Sequence, residues 1–231
     1  MIAGVILAAG ESRRMGRSKP LVRRRGETFL AHGVRLLWTQ CDCVVVVLGK
    51  EGARVRREAE EEFARLASSG ALGRDLTLAR HGRGHKARLE VHFVENRAYR
   101  RGMLTSARLG IATALRLKPD AMLLTLVDHP SVRPETVRAL GSSIAEAMKA
   151  YAPGRGTRAT PGLAYAIVPR VGGRRGHPVA LSTALARAIA NDHDGESLSD
   201  SIRRNARLIG YLDVADRGII ANVNAPRGRR G

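Results

Sequence analysis

Cysteine is nearly absent. Cys41 and Cys43 are the only two among 231 residues, too few and too close together for a disulfide framework or a structural zinc site. Aromatic residues make up 3% of the chain, so stacking platforms for single-stranded nucleic acid are scarce. No apolar run approaches the roughly 20 residues needed to cross a bilayer. The N-terminus also lacks the basic start and small-residue cleavage site of a secretory signal, so the expected setting is the cytoplasm, without a membrane partner. Acidic residues are outnumbered: 21 Asp and Glu stand against 40 Lys and Arg, a formal charge of +19. A field of that sign attracts polyanions, which include nucleotides and, without sequence preference, nucleic acid.

What is present is a chain with 44% hydrophobic residues, long enough to bury one substantial core. Apolar runs suited to strands recur at 2–9, 44–48, 89–94, 122–127 and 163–168, separated by helix-compatible stretches such as 54–66 and 106–117. This alternation predicts an α/β fold, a mostly parallel sheet in a three-layer sandwich with helices on both faces. The Gly-, Ser- and Arg-rich stretches 68–88 and 152–162 read as surface excursions. Segments 207–212 and 218–223 are expected to add late strands that bring the chain back to the site. Residues 1–226 are expected to form one domain, followed by a basic tail at 227–231.

The most informative stretch is 7–20, LAAGESRRMGRSKP. A buried strand ends in a turn at Gly10 and Ser12, followed by a cation cluster that closes at Lys19. Ligands of open α/β sheets bind at the C-terminal ends of strands, where the loops diverge. Gly10 and Gly16 let backbone N–H groups approach an anion, and Arg13, Arg14, Arg17 and Lys19 can neutralise phosphate oxygens. The alternative is an ordinary strand-to-helix turn with a solvated basic face. The spacing is neither the Walker loop, since Pro20 follows Lys19, nor G-x-G-x-x-G. Further on, Asp128 emerges where the run 122–127 ends and Pro130 stops it. A carboxylate there suits magnesium, which takes oxygen ligands, or serves as a turn or cap residue.

The stretch resembles the signature loop of the MobA-like nucleotidyltransferases at Leu7, Ala8, Ala9, Gly10, Ser12, Arg14, Met15, Gly16 and Lys19. Four further segments are similar to that family in the same order: Asn96, Gly102, Met103, Ser106 and Gly110; Asp128 and Pro130; Arg175, Gly176, His177 and Pro178; and Asn222 with Asn224. The resemblance implies a Rossmann-like sheet of the nucleotide-diphospho-sugar transferase type. It also implies magnesium-dependent transfer of a nucleoside monophosphate from an NTP to a phosphorylated acceptor such as molybdopterin, with release of pyrophosphate. On it, Leu7–Gly10, Ser12, Arg14, Lys19, Asn96, Gly102, Met103 and Ser106 would bind the nucleotide, with Arg14, Lys19 and Asp128 catalytic. Residues 175–178 would border the acceptor. Asp128, Asn222 and Asn224 would face Mg2+, although both asparagines stand where the family has Asp or Asn, and a neutral amide brings no charge. Ala9, with the R-G-H-P turn, is similar to the CTP-using branch, which favours CTP over GTP as donor. Residues 191–195, NDHDG, depart from the family turn, and Asp192, His193 and Asp194 receive no metal role; a cap for a helix starting near Ser197 is expected instead. The alternatives are a sugar-phosphate or GTP-using transferase, and, from another class, a non-enzymatic polyanion or RNA binder.

Overall fold

The computed structural model describes residues 1–10, 18–69, 76–78, 89–151 and 162–223. Ser12, Arg14 and the rest of 11–17, together with Asn224 and the basic tail, lie outside the described residues. In chain order the elements are β1 (Ile2–Ala8), β2 (Arg23–Arg24), β3 (Glu27–Thr28), α1 (Phe29–Trp38), β4 (Cys43–Leu48), α2 (Gly52–Ser68), β5 (Leu76–Leu78) and β6 (Leu89–Glu95). Then come α3 (Met103–Leu115), β7 (Ala121–Leu126), α4 (Pro134–Ala150), β8 (Tyr165–Val171), β9 (Arg174–Arg175), β10 (Val179–Ser182), α5 (Thr183–Asn191), α6 (Leu198–Asn205) and β11 (Leu208–Asp213).

β4 reads CVVVVL and is buried throughout, the continuous branched run expected of a strand covered on both faces. Sheet order is β11-β8-β10-β7-β1-β4-β6-β5, with β9 pairing β8 at the side. Only β10 and β9 run against the rest, so the sheet is mostly parallel, as expected. Side chains alternate along β1. Ile6 and Ala8 join the core under α1, α2 and α4, while Val5 and Leu7 join the core under α3, α5 and α6. This is the three-layer arrangement. Three helices, α1, α5 and α6, begin where hydroxyl side chains take up free amides: Thr28 accepts from Ala31 N at 3.1 Å, Ser182 from Leu185 N at 3.3 Å and Ser197 from Asp200 N at 3.1 Å. That last bond is the cap expected near Ser197.

One detail differs from expectation. Segment 218–223 is not a strand: the side chain of Asp216 accepts from Gly218 N and turns residues Arg217–Ile220 into a 3-10 helix. Residues 179–182, which follow the R-G-H-P turn, pair antiparallel with both β7 and β8. Among the described residues no helix is long and apolar enough to cross a membrane.

Candidate active site

β1 is central, with β4 and its successors β6 and β5 on one side and β7 on the other. The strand order reverses between β1 and β7, and such a switch leaves a crevice beyond the carboxyl ends of the two strands. Val127 N donates to Leu7 O at 3.1 Å and continues the pairing to the rim. The crevice is a cleft of about 180 Å³ lined by Leu7, Ala8, Ala9, Gly10, Lys19, Tyr99, Met103, Ser106, Leu126, Val127 and Asp128. Thus the described part of the signature loop, the start of α3 and the end of β7 meet at one place.

Lys19 opens a short 3-10 turn anchored by buried Pro20. Its Nζ donates to Asp128 Oδ2 at 3.1 Å, and both side chains are mostly covered. The other carboxylate oxygen faces His129, whose Nε2 is 3.9 Å from Asp128 Oδ1. His129 is buried, and burial holds its pKa below the ordinary histidine value despite the neighbouring carboxylate. Its ring meets that of His177 edge-on, with centroids 5.3 Å apart. Burial, reinforced by His129, pushes His177 down to about 4. Both imidazoles are therefore neutral near pH 7, and the Nδ1 of each is enclosed without a hydrogen-bond partner.

Asn96 lies behind the cleft. Its amide donates to Thr105 Oγ1 at 2.9 Å and Ser106 Oγ at 2.8 Å, while its own oxygen accepts from Ala98 N. It fixes the first turn of α3 and so the place of Ser106. Gly102 precedes that helix with φ at +111°, a conformation in which a side chain is strained. Met103, 47% exposed, stands over the cleft.

Met103 also lines a second cavity of about 210 Å³ with Val168, Arg175, Gly176, His177, Val179, Leu198, Ser199, Ile202, Arg203 and Ile209. Arg175, Gly176 and His177 thus border a space that shares a wall with the first; Pro178 follows them through a cis peptide bond. Gly176 has a packing reason beyond its turn: a Cβ there would lie 2.3 Å from Ile219 O. Leu198, Ile202 and Arg203 of α6 were not foreseen, because an amphipathic helix face carries no mark of the ligand it borders.

The closing segment joins the two spaces. His177 N donates to Ile219 O at 3.0 Å, and Val223 N donates to Asp128 O at 2.9 Å. Asn222, exposed, is thereby held beside the aspartate. Asp216, also unforeseen, anchors this segment: its buried carboxylate accepts from Arg133 N, Thr136 Oγ1 and Gly218 N, each at 2.8 Å. Asp192 accepts from Ser201 Oγ at 2.6 Å, Asn205 Nδ2 at 2.9 Å and Asp194 N at 3.2 Å, a knot between α5 and α6.

Among the described residues no cluster of three His, Cys, Asp or Glu side chains could hold a metal. Asp128 supplies one carboxylate, whose Oδ1 is not taken by Lys19. One carboxylate oxygen left open in this way suits a hard cation that draws its other ligands from phosphate and water.

Comparison with known proteins agrees with this fold. Over 220 residues, the chain is 29% identical to a nicotine blue oxidoreductase from Paenarthrobacter nicotinovorans, covering 93% of this chain and 88% of the relative. A protein of Opitutus terrae named "Probable molybdenum cofactor guanylyltransferase" is 43% identical over 72 residues, 31% of this chain and 36% of that one. Among solved structures, Rv0371c from Mycobacterium tuberculosis superposes with a TM-score of 0.62 at 22% identity, over 93% of this chain and 88% of that one; the same protein has been solved in complex with manganese, with a TM-score of 0.55, 21% identity and coverage of 92% and 88%. The family model for the MobA-like NTP transferase domain matches residues 4–208, and the chain belongs to that family of nucleotidyltransferases.

Proposed function

We propose that residues 1–226 form a single domain that transfers a nucleoside monophosphate from an NTP, CTP in preference to others, to a phosphorylated acceptor such as molybdopterin, releasing pyrophosphate. One observation carries this reading: the Lys19–Asp128 pair sits in a cleft at the β1/β7 switch point, and that cleft shares Met103 with a second cavity. Donor and acceptor then have adjoining places, and holding two reactants side by side supplies much of the rate.

The acceptor phosphate is already anionic, so no protein nucleophile is needed. The backbone at Ala8–Gly10 frames the donor, and Lys19 turns its ammonium to phosphate oxygens as negative charge gathers on the departing pyrophosphate. Arg14, outside the described residues, joins Lys19 in this role by family resemblance. Asp128, with Asn222 beside it and Asn224 by resemblance, would hold Mg2+. Bound there, the ion would neutralise charge on the phosphate oxygens and favour departure of pyrophosphate.

A second reading draws on the nicotine blue oxidoreductase relative, which matches nearly the whole chain. In it the cleft holds a redox nucleotide, because the chain's own thiols are unsuited: Cys41 and Cys43 are buried, and burial raises both pKa values. The test is pyrophosphate release with CTP, GTP, ATP and UTP plus magnesium, with and without molybdopterin. The expected result is acceptor-dependent release, fastest with CTP, falling by about a hundredfold or more in Asp128→Ala. Undiminished turnover in that variant rejects the assignment of Asp128. With a reduced nicotinamide and nicotine blue added, oxidation of the nicotinamide matched by two-electron reduction of the dye, without pyrophosphate release, selects the second reading.

A further inference from the structure

We propose that the second cavity takes an anionic acceptor whose body carries few hydroxyls and packs on an apolar wall, and that it discriminates against polyol acceptors such as sugar phosphates. This deepens the transferase reading and rests on it. Apolar side chains come from every side of the cavity: Met103 from α3, Val168 from β8, Val179 from β10, Ile202 from α6 and Ile209 from β11. Among the described lining residues, the neutral hydrogen-bonding side chains are Ser199 and His177, and burial keeps His177 uncharged near pH 7.

A sugar phosphate carries a hydroxyl on most of its carbons. Each one moved from water to an apolar wall without a partner loses affinity. A carbon skeleton without hydroxyls gains on the same wall.

The charge of the ligand follows from the rim. Arg175 is exposed and makes no ion pair among the described residues, and Arg203 is exposed with its guanidinium on Asp200 Oδ1 at 3.2 Å. Two guanidinium groups beside an apolar floor complement an amphipathic anion. Met103, common to both spaces, puts the body of such a molecule next to the donor cleft.

The test is calorimetric titration of the full chain with 1-naphthyl phosphate and with glucose 1-phosphate, repeated on Arg175→Ala and Arg203→Ala. Both arginines are exposed, so folding is preserved. The aryl phosphate is expected to bind at least about tenfold more tightly than the sugar phosphate, and to weaken by about fivefold or more in at least one variant. Equal or tighter binding of glucose 1-phosphate, no binding of either probe, or indifference to both substitutions overturns the proposal. Pyrophosphate release separates the two readings. Arginine-dependent binding of the aryl phosphate without release by any NTP upholds the cavity's selectivity and rejects the transferase. Release together with preference for the sugar phosphate does the reverse.

Discussion

His177 carries a cost that is invisible until pH is lowered. Its imidazole titrates near 6.5 in the unfolded chain and near 4 in the folded one. Between these values the unfolded chain binds a proton that the folded chain refuses, so stability falls as pH drops from about 6.5 towards 4 and then levels off for this group. The loss is about 3 kcal/mol. His177→Gln removes the titration, and its unfolding midpoint in urea is expected to change less between pH 7 and pH 4.5 than that of the parent chain. Parallel acid limbs for the two proteins would rule this out. At the same scale, Lys19 and Asp128 could be named before any coordinates because their side-chain types suit one chemistry and flank recognisable turns. Asp216 and Arg203 could not. A lone acid among polar neighbours and an arginine on a helix face look the same in sequence whether they cap, line a cavity or face water.

The strap from Asp216 to Val223 is the element through which the site is held together. Its hydrogen bonds reach His177 on one side and Asp128 on the other, and its own anchor is one carboxylate that accepts three hydrogen bonds. Asp216→Ala leaves those three donors unpaired in a buried place, with an expected loss of about 2–3 kcal/mol by urea denaturation. The amides of His177 and Val223 should exchange hydrogen faster in the variant than in the parent, ahead of global unfolding. Unchanged stability with unchanged protection of these two amides would show that the strap is held otherwise. Its residues 218–223 read as a strand because the run G-I-I-A-N-V is apolar and branched. The bond from Gly218 N to Asp216, a local Asx turn, overrides that propensity, and the carboxylate that makes it is fixed by Arg133 N and Thr136 Oγ1 from far along the chain, which local pattern does not carry. β1, β4 and β7 were legible for the opposite reason. They are central and covered on both faces, and their nearly continuous apolar runs agree with burial.

For the whole molecule, the surplus of 19 positive charges raises the question of whether nucleic acid is a partner or a background. Two carboxylates of α2 are engaged with arginines one turn away, Arg54 with Glu58 and Arg56 with Glu60, each at 2.8 Å. Pairs of this kind leave the excess on the rest of the surface, where it is exposed to screening. RNA held only by such charges loses affinity steeply with salt, because each phosphate contact releases counterions; about six to ten contacts cost 10³- to 10⁵-fold between 50 and 200 mM. An NTP in the β1/β7 cleft meets the covered Lys19, backbone amides and, on the proposed reading, Arg14, far fewer charge contacts than an RNA makes, so its binding is expected to change by less than about tenfold over the same range. Fluorescence anisotropy with a labelled RNA and with labelled CTP, run side by side across that salt range, reads both slopes. Removing one negative charge by Asp128→Ala should leave the RNA curve in place or shift it slightly tighter while eliminating pyrophosphate release. RNA binding that resists salt and is lost with Asp128 would make the cleft a nucleic-acid site, and the charge of this chain would then serve recognition rather than attraction.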